Sequence, residues 1–392
     1  MRISIPPAVL ALCTALRERG HEAVLVGGCI RDALIARPVR DWDIATSAPV
    51  GDVLACFRRA VAMGASARHG TALVPTAAGP VDITTFRGPD LASDLARRDF
   101  TVNALAFDVV SGELIDPHGG ERDLAELRLR AVGRAADRFA EDPLRALRAA
   151  RLLAELGLVP DAEIEAAMHA SAPALLGLAA ERVRTEFLRA LLGPHATAAF
   201  VLLRHSGIEA TFAPGTRDDA AAVIGALPAE LALRLAGWLR GAARTRVLAR
   251  LRVGRPLARR VDRVLALHPL DAHWDGSEAG VRKVRRRAGD EDTLAQLLLL
   301  REAECIADGN GWATGRIAAL RGGLEASPSS VFGPGDLALR GDDVMAALGA
   351  GPGPHVGRAL RHLVDCVVAE PGANTPERLR ELLATWSPTR NP

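Results

Sequence analysis

Asp41 and Asp43 stand one residue apart in Asp41-Trp42-Asp43-Ile44-Ala45-Thr46, a run that alternates polar and apolar side chains as a strand does. Side chains at i and i+2 of a strand share a face, so two carboxylates converge there and repel each other when unpaired. A hard divalent cation such as Mg²⁺ relieves that repulsion, using carboxylates together with substrate phosphate oxygens. Asp82, in the similarly alternating Val81-Asp82-Ile83-Thr84-Thr85-Phe86, is a candidate third carboxylate. Upstream, Leu25-Val26-Gly27-Gly28-Cys29-Ile30-Arg31-Asp32 reads as a strand, a double glycine and the start of a helix. Glycines let a backbone approach a polyphosphate, helix N-terminal amides face an anion, and Arg31 can pair with it. Each signal alone also fits a plainer role: Gly-Gly a tight turn, Asp-x-Asp a surface turn.

Two arginine-rich stretches follow. Arg97-Arg98-Asp99-Phe100-Thr101-Val102-Asn103-Ala104 could read a ribose and a phosphate, or could be a capped element with surface charges. In Glu141-Asp142-Pro143-Leu144-Arg145-Ala146-Leu147-Arg148-Ala149-Ala150-Arg151, Pro143 suits a first helical turn and Asp142 its cap. Arg145, Arg148 and Arg151 then form an i, i+3 ridge beside a core-facing stripe of Leu144, Leu147 and Ala150. Stacked arginines repel, so the ridge is expected to face an anion.

The elements that must position these groups are legible in part. Residues 6–19 pattern as a helix, and 23–26, 41–46 and 81–86 as strands. Segments 102–110 and 113–115 fit strand or helix around a turn at Ser111-Gly112. From about Leu124 onward Leu, Ala and Arg recur at helical spacing, punctuated at Gly157-Leu158-Val159-Pro160, Gly193-Pro194 and Ala213-Pro214-Gly215. Ser327-Pro328-Ser329-Ser330 with Gly333-Pro334-Gly335 is the expected interdomain linker, and a small helical unit containing Gly351-Pro352-Gly353-Pro354 follows. There is no fixed-period repeat.

Composition narrows the class further. The 392 residues are 49% hydrophobic and 24% charged, a globular mix that excludes disorder and collagen. No apolar stretch is long enough to span a membrane, and the short run Val9 to Leu16, followed at once by Arg17-Glu18-Arg19, is no secretory signal. Five scattered cysteines without a C-x-x-C pair fit a reducing cytoplasmic setting rather than disulfides or cysteine-bound zinc. Net charge is only +2, yet residues 231–287 hold 15 basic against four acidic residues, a local +11. That asymmetry suggests a polyanion-binding module, or a set of solvated helix faces. As a polyanion surface the segment is expected to place Arg285, Arg286 and Arg287 against phosphates.

The ordered set Gly27-Gly28-x-x-Arg31-Asp32, Asp41-x-Asp43-Ile44-Ala45-Thr46, Arg68-His69-Gly70-Thr71, Arg97-Arg98-Asp99-Phe100-Thr101-x-Asn103-Ala104, Asp116-Pro117-x-Gly119-Gly120, Glu141-Asp142-Pro143-Leu144-Arg145 and Glu181-Arg182-Val183-x-x-Glu186 resembles the bacterial tRNA nucleotidyltransferase/poly(A) polymerase family, class II of the polymerase-β-like nucleotidyltransferases. The resemblance runs over residues 24–190 and returns weakly at Leu339-Arg340-Gly341-Asp342-Asp343. It implies an α+β fold: a small mixed-sheet catalytic head (1–127), then an all-helical neck that selects the nucleotide (128–195), a body (196–326) and a tail (327–392) that hold tRNA by its 3′ end and acceptor/T arm. By the same resemblance Asp41 and Asp43 bind two Mg²⁺, with Asp82 beside them. Gly27, Gly28 and Arg31 hold the triphosphate and Arg98 the sugar-phosphate. Asp142 and Arg145 read the base, supported by Arg148 and Arg151. The substrates implied are CTP, ATP and tRNA, with no membrane and no obligatory protein partner.

Base reading by one Asp/Arg pair has its own physical argument. Cytosine and adenine each offer an amino donor beside a ring-nitrogen acceptor, which a carboxylate and a guanidinium complement; uracil and guanine offer the opposite pattern. Each such polar pair discriminates by roughly 1–3 kcal/mol. Within the family, poly(A) polymerases usually extend further at a basic C-terminus, whereas this sequence runs from Trp386 to Ser-Pro-Thr-Arg-Asn-Pro. Enzymes that add only C and C have lost a flexible loop between the T-T-F-R strand and the R-R-D motif, and here only Gly88 to Ala96 separates the two. A catalytically silent RNA-binding protein would lack Asp41 or Asp43. None of the ten histidines precedes an aspartate, so no His-Asp phosphohydrolase dyad is expected. Among single histidines His69 is placed for either a turn or a substrate contact.

Overall fold

Ala23-Val24-Leu25-Val26 forms β1 (Ala23–Val26), a strand buried along its whole length because both of its faces are covered. The structure is a computed structural model that describes residues 3–62, 70–272, 274–309, 311–326 and 333–387. β1 lies inside a seven-stranded mixed sheet of order β3-β4-β5-β2-β1-β6-β7, whose other strands are β2 (Trp42–Thr46), β3 (Val61–Ala62), β4 (Thr71–Thr76), β5 (Gly79–Thr85), β6 (Ala106–Phe107) and β7 (Leu114–Ile115). The α+β head anticipated from the sequence is therefore present.

On one face of the sheet Leu25, Ile44, Val81 and Ile83 pack with α1 (Pro7–Arg17), whose Val9, Leu12, Cys13 and Leu16 recur at the spacing of one helical face. Removing such side chains from water is the main source of stability here, roughly 1.5–3 kcal/mol apiece. The opposite face is covered more thinly, by Val24, Val26, Ala45, Phe86 and Leu95. Strand alternation puts Asp43 and Asp82 on this second face, because their neighbours Trp42, Ile44, Val81 and Ile83 point into the larger core. β2 and β5 run parallel with Asp43 directly opposite Asp82.

Strand β4 is absent from the sequence reading. Its Ala72 and Val74 point inward, but Pro75 interrupts the pattern and pairs in register with Pro80, close to the turn into β5. Segment 102–110 resolves into a 3-10 turn, Thr101–Asn103, and β6, with β7 returning across Ser111-Gly112. Arg68 and His69 of the third motif, and the expected linker Ser327–Ser330, lie outside the described residues.

The helices that complete the site follow in chain order: α2 (Gly28–Leu34), α3 (Val50–Cys56), α4 (Leu91–Ala96), α5 (Gly120–Ala125), α6 (Ala135–Glu141), α7 (Leu144–Leu156), α8 (Ala162–Ser171) and α9 (Ala180–Leu192). Leu144, Leu147 and Ala150 of α7 are buried, as the stripe predicts. Against α7 packs α9, held by an ion-pair ladder: Arg151 donates to Glu186 at 2.5 Å and to Glu155 at 2.9 Å, and Glu155 accepts from Arg189 at 2.7 Å.

By density of internal contacts the chain divides into two units, 1–212 and 213–392. The expected head and neck fall in the first and the expected tail in the second, with the expected body spanning the boundary. The second unit holds helices and short 3-10 turns and no strand among its described residues. Within it the basic segment serves a purpose that its charge does not announce. Arg282 donates to Val368 O and Ala369 O at the end of the helix Pro354–Ala369, and Arg285 to Leu324 O near the end of Gly311–Ala326. These are C-terminal carbonyls that have no partner within their own helices. Arg286 pairs with Asp365. The expectation that Arg285, Arg286 and Arg287 jointly face phosphates is thus corrected for the first two, which close contacts within the unit. Arg246, Arg255, Arg259, Lys283 and Arg287 are exposed and have no ion-pair partner among the described residues.

Arg151 and Glu186 are both almost wholly buried, at 5% and 7% exposure. Glu186→Ala leaves the arginine with Glu155 alone, so it is expected to cost about 3 kcal/mol in urea denaturation, whereas Glu186→Gln, which keeps an acceptor, costs less.

Candidate active site

The turn that ends β1 is built on Gly27, whose φ of +80° falls in the region that favours glycine. A Cβ there would also meet Arg98 Nη1 at 2.7 Å, so backbone and guanidinium approach each other only because no side chain intervenes. Arg31, four residues on in α2, is 6% exposed. Its Nε and Nη2 donate to Asp32 Oδ1 at 2.9 and 2.7 Å, and its Nη1 donates to Asn103 Oδ1.

Asn103 hands the connection on. Its Nδ2 donates to Asp99 Oδ1 at 3.0 Å, the Phe100 amide donates to the same oxygen at 2.9 Å, and Arg148 Nε donates to Asp99 Oδ2 at 2.6 Å. Burial alone would raise the Asp99 pKa. The Arg148 charge and these hydrogen bonds outweigh it and hold the carboxyl well below the ordinary carboxylate range. Arg148 is raised in turn, chiefly by the Asp99 charge. Arg98 is held by Asp94 of α4, with Nη2 to Oδ2 at 3.2 Å, and donates to Asn103 O at 3.3 Å.

Asp142 precedes α7 as a cap should, its Oδ1 accepting from the Leu144 amide at 3.2 Å. Its Oδ2 accepts from Arg182 Nη2 at 2.6 Å. Arg145 donates to Glu141 and to Arg138 O at 3.0 Å, and to Arg97 O at 3.3 Å. The arginine ridge of α7 is therefore met by the protein's own groups: Arg145 by Glu141, Arg148 by Asp99, and Arg151 by Glu186 and Glu155. Periodicity correctly gave the shared face, but the anions opposite come from distant segments that spacing does not reveal.

All the site residues expected from the sequence except Asp82 line one cleft of about 910 Å³, together with Asp99, Asn103 and Arg182. Among the described residues ten arginines and six carboxylates form its wall. Burial raises Asp43 to about 6, opposed by the Arg98 charge and reinforced by those of Asp82 and Asp41. Asp82 is raised too, by partial burial and the Asp41 charge. Among the described residues no three His, Cys, Asp or Glu side chains are drawn together as a ready-made metal cage. A half-buried carboxylate pushed toward protonation by two carboxylate neighbours nonetheless fits a divalent cation, with Asp41 and Asp43 supplying part of the shell and substrate oxygens the rest. Sequence reading missed Arg37, Arg40 and Arg87, which line the cleft and have no carboxylate partner among the described residues. Their signal was available: two of them sit in the five residues before Asp41. Burial and the charges of Arg98 and Arg145 lower Arg87's pKa against the pull of Asp94.

A mixed-sheet head carrying an acidic pair opposite an arginine-lined helix defines a polymerase-type nucleotidyltransferase. Residues 23–130 match the Poly A polymerase head domain, and residues 157–219 match the domain described as probable RNA and SrmB-binding site of polymerase A. The chain is 33% identical to the CCA-adding enzyme of Geobacillus stearothermophilus over 415 aligned residues, covering 97% of each. A 202-residue match to the CCA-adding enzyme of Streptococcus pyogenes serotype M2 reaches 43% identity and spans half of that protein. The solved Bacillus stearothermophilus CCA-adding enzyme in complex with CTP superposes with a TM-score of 0.76 at 29% identity, covering 97% of this chain and 98% of that one. The Thermotoga maritima CCA-adding enzyme complexed with tRNA shares the fold at 20% identity and a TM-score of 0.72. The chain belongs to the CCA-adding enzyme family, the tRNA nucleotidyltransferases, whose chemistry depends on divalent metal. No helix among the described residues is long and apolar enough to cross a membrane.

Asp43 has a raised affinity for the proton, so a divalent cation bound there would compete with it. Mg²⁺ or Mn²⁺ binding measured by calorimetry is accordingly expected to strengthen as pH rises through about 6, then to level off. Asp43→Asn should remove that inflection, and a cation affinity indifferent to pH across this range would contradict the assignment.

Proposed function

We propose that this protein adds C, C and A to tRNA 3′ ends from CTP and ATP without a template, using Mg²⁺ held by Asp41 and Asp43. The observation that carries the reading is the convergence on one cleft of an acidic pair, an arginine wall and a base-reading Asp142/Arg145 pair. Mg²⁺ bound there would make the primer 3′-hydroxyl a better nucleophile and stabilise charge on the departing pyrophosphate. The rest falls to the chain. The Gly27-Gly28 turn leaves room for a triphosphate beside backbone, and Arg98 stands next to it for the sugar-phosphate. Arg37, Arg40 and Arg87 are the cleft cations least committed to the protein's own carboxylates, which leaves them for phosphates. Asp142 accepts from the exocyclic amino group of C or A while Arg145 donates to the ring nitrogen. Arg148 and Arg151 fix α7, on which both stand.

One observation favours a second reading, addition of C and C alone. Residues 88–96, where many relatives are expected to have a long flexible loop, form a tight turn and α4, capped by Asp90 with the Ser93 amide at 2.8 Å. Buried Asp94 ties α4 to Arg98 and accepts from the Arg87 amide at 3.1 Å. The test is incubation of purified enzyme with CTP or ATP and three tRNAs, lacking three, two or one terminal nucleotide. Efficient transfer of A to the last supports full CCA addition; a halt after two C residues supports the second reading. Asp41→Asn and Asp43→Asn should abolish both additions while retaining tRNA binding.

The exposed arginines Arg246, Arg255 and Arg259 replace Arg285 and Arg286 as the expected phosphate contacts. Replacing all three by Ala should flatten the dependence of log K for tRNA on log salt by about two units and weaken binding. An unchanged slope would place the tRNA elsewhere.

A further inference from the structure

The carboxylate assigned to base reading is held at both oxygens. Asp142 Oδ1 accepts from the Leu144 amide at 3.2 Å, a bond that belongs to the start of α7, and Oδ2 accepts from Arg182 Nη2 at 2.6 Å. Arg182 lies in the first turn of α9, forty residues away in sequence, and lines the same cleft. The helix that carries it is fixed to α7 by the Arg151–Glu186 and Glu155–Arg189 pairs. The Arg182 side chain is half exposed, so folding does not demand its bond to Asp142.

We infer that Arg182 is a positioning residue for nucleotide selection, acting through Asp142; the inference rests on Asp142 as the acceptor for the base amino group. A carboxylate bonded only at Oδ1 can turn about its terminal torsion, which is broad and poorly restrained. A second bond at Oδ2 fixes the plane of the group. Each carboxylate oxygen has two acceptor directions, so Asp142 keeps capacity toward the cleft after both bonds are made. Selection of C and A over U and G depends on that remaining direction, because an amino donor and a carbonyl oxygen differ in sign and hardly in position. A carboxylate free to rotate offers its acceptor over a wide arc and forfeits contrast between the two. Arg182 therefore sharpens choice and contributes little to triphosphate binding. Arg145 is held in a matching way, by two backbone carbonyls and Glu141, so both halves of the reading pair are immobilised before any nucleotide arrives.

The test compares Arg182→Ala, Arg182→Lys, Asp142→Ala and the double Ala variant in the full-length enzyme, measuring kcat/KM for CTP, ATP, UTP and GTP on tRNA lacking the terminal nucleotides. Arg182→Ala is expected to lower the CTP/UTP and ATP/GTP ratios by roughly tenfold or more, the range of one charge-assisted hydrogen bond, with KM for tRNA and the thermal midpoint unchanged. Arg182→Lys should restore part of the ratio. The double variant should select no worse than Asp142→Ala alone, which a general structural role would not produce. Ratios unchanged or improved in Arg182→Ala while Asp142→Ala loses them overturn the role of Arg182 and leave base reading intact. Ratios unchanged in Asp142→Ala overturn base reading itself and the inference with it.

Discussion

The ion pair between Asp99 and Arg148 is the contact on which the site depends. It joins the segment between β5 and β6 to α7, 49 residues further along the chain, and its carboxylate is also fixed by Asn103 and the Phe100 amide. Through Asn103 the same connection reaches Arg31 and Asp32 beside the glycine turn. Five side chains in series thus set how far the acidic pair lies from α7. Each member of the series bonds to the next, and removing Arg148 leaves the buried Asp99 carboxylate without its ion-pair partner. A series of this kind suits a site that must present one geometry without a template to enforce it.

The acidic pair, the glycine turn and the order of motifs were legible from sequence because each is local: strand alternation, a positive φ and short spacing are properties of a few adjacent residues. Val9, Leu12, Cys13 and Leu16 announced α1 in the same way. Strand β4 was hidden by Pro75, which reads against a strand unless its register against Pro80 is known. The partners of Arg145, Arg148 and Arg151 were hidden for a different reason. Helical periodicity states which residues share a face and is silent on what folds up against it, so the carboxylates that neutralise the ridge could be found only in three dimensions.

Charge counting shows the same limit in the second unit. A local +11 correctly marked the segment 231–287 as unusual, yet Arg282 and Arg285 spend their donors on helix-terminal carbonyls and Arg240 is buried with Asp219 and Glu304. In a chain whose basic residues are Arg with a single Lys, guanidinium groups serve as general-purpose hydrogen-bond donors as well as cations. The exposed remainder around Arg246, Arg255 and Arg259 is the part of that charge left over for a polyanion.

Asp94 gives the short segment 88–96 a mechanical meaning. It is buried, it receives the Arg87 amide, and it grips Arg98, whose guanidinium occupies the space that Gly27 leaves open. The spacer between strand and arginine motif is thus a strut whose far end bears on the floor of the pocket. An insertion between Asp94 and Arg98 would break that grip and move Arg98. Growth of the segment there demands a new anchor for that arginine, whereas the exposed turn at Pro89-Asp90 has room to lengthen with the grip intact.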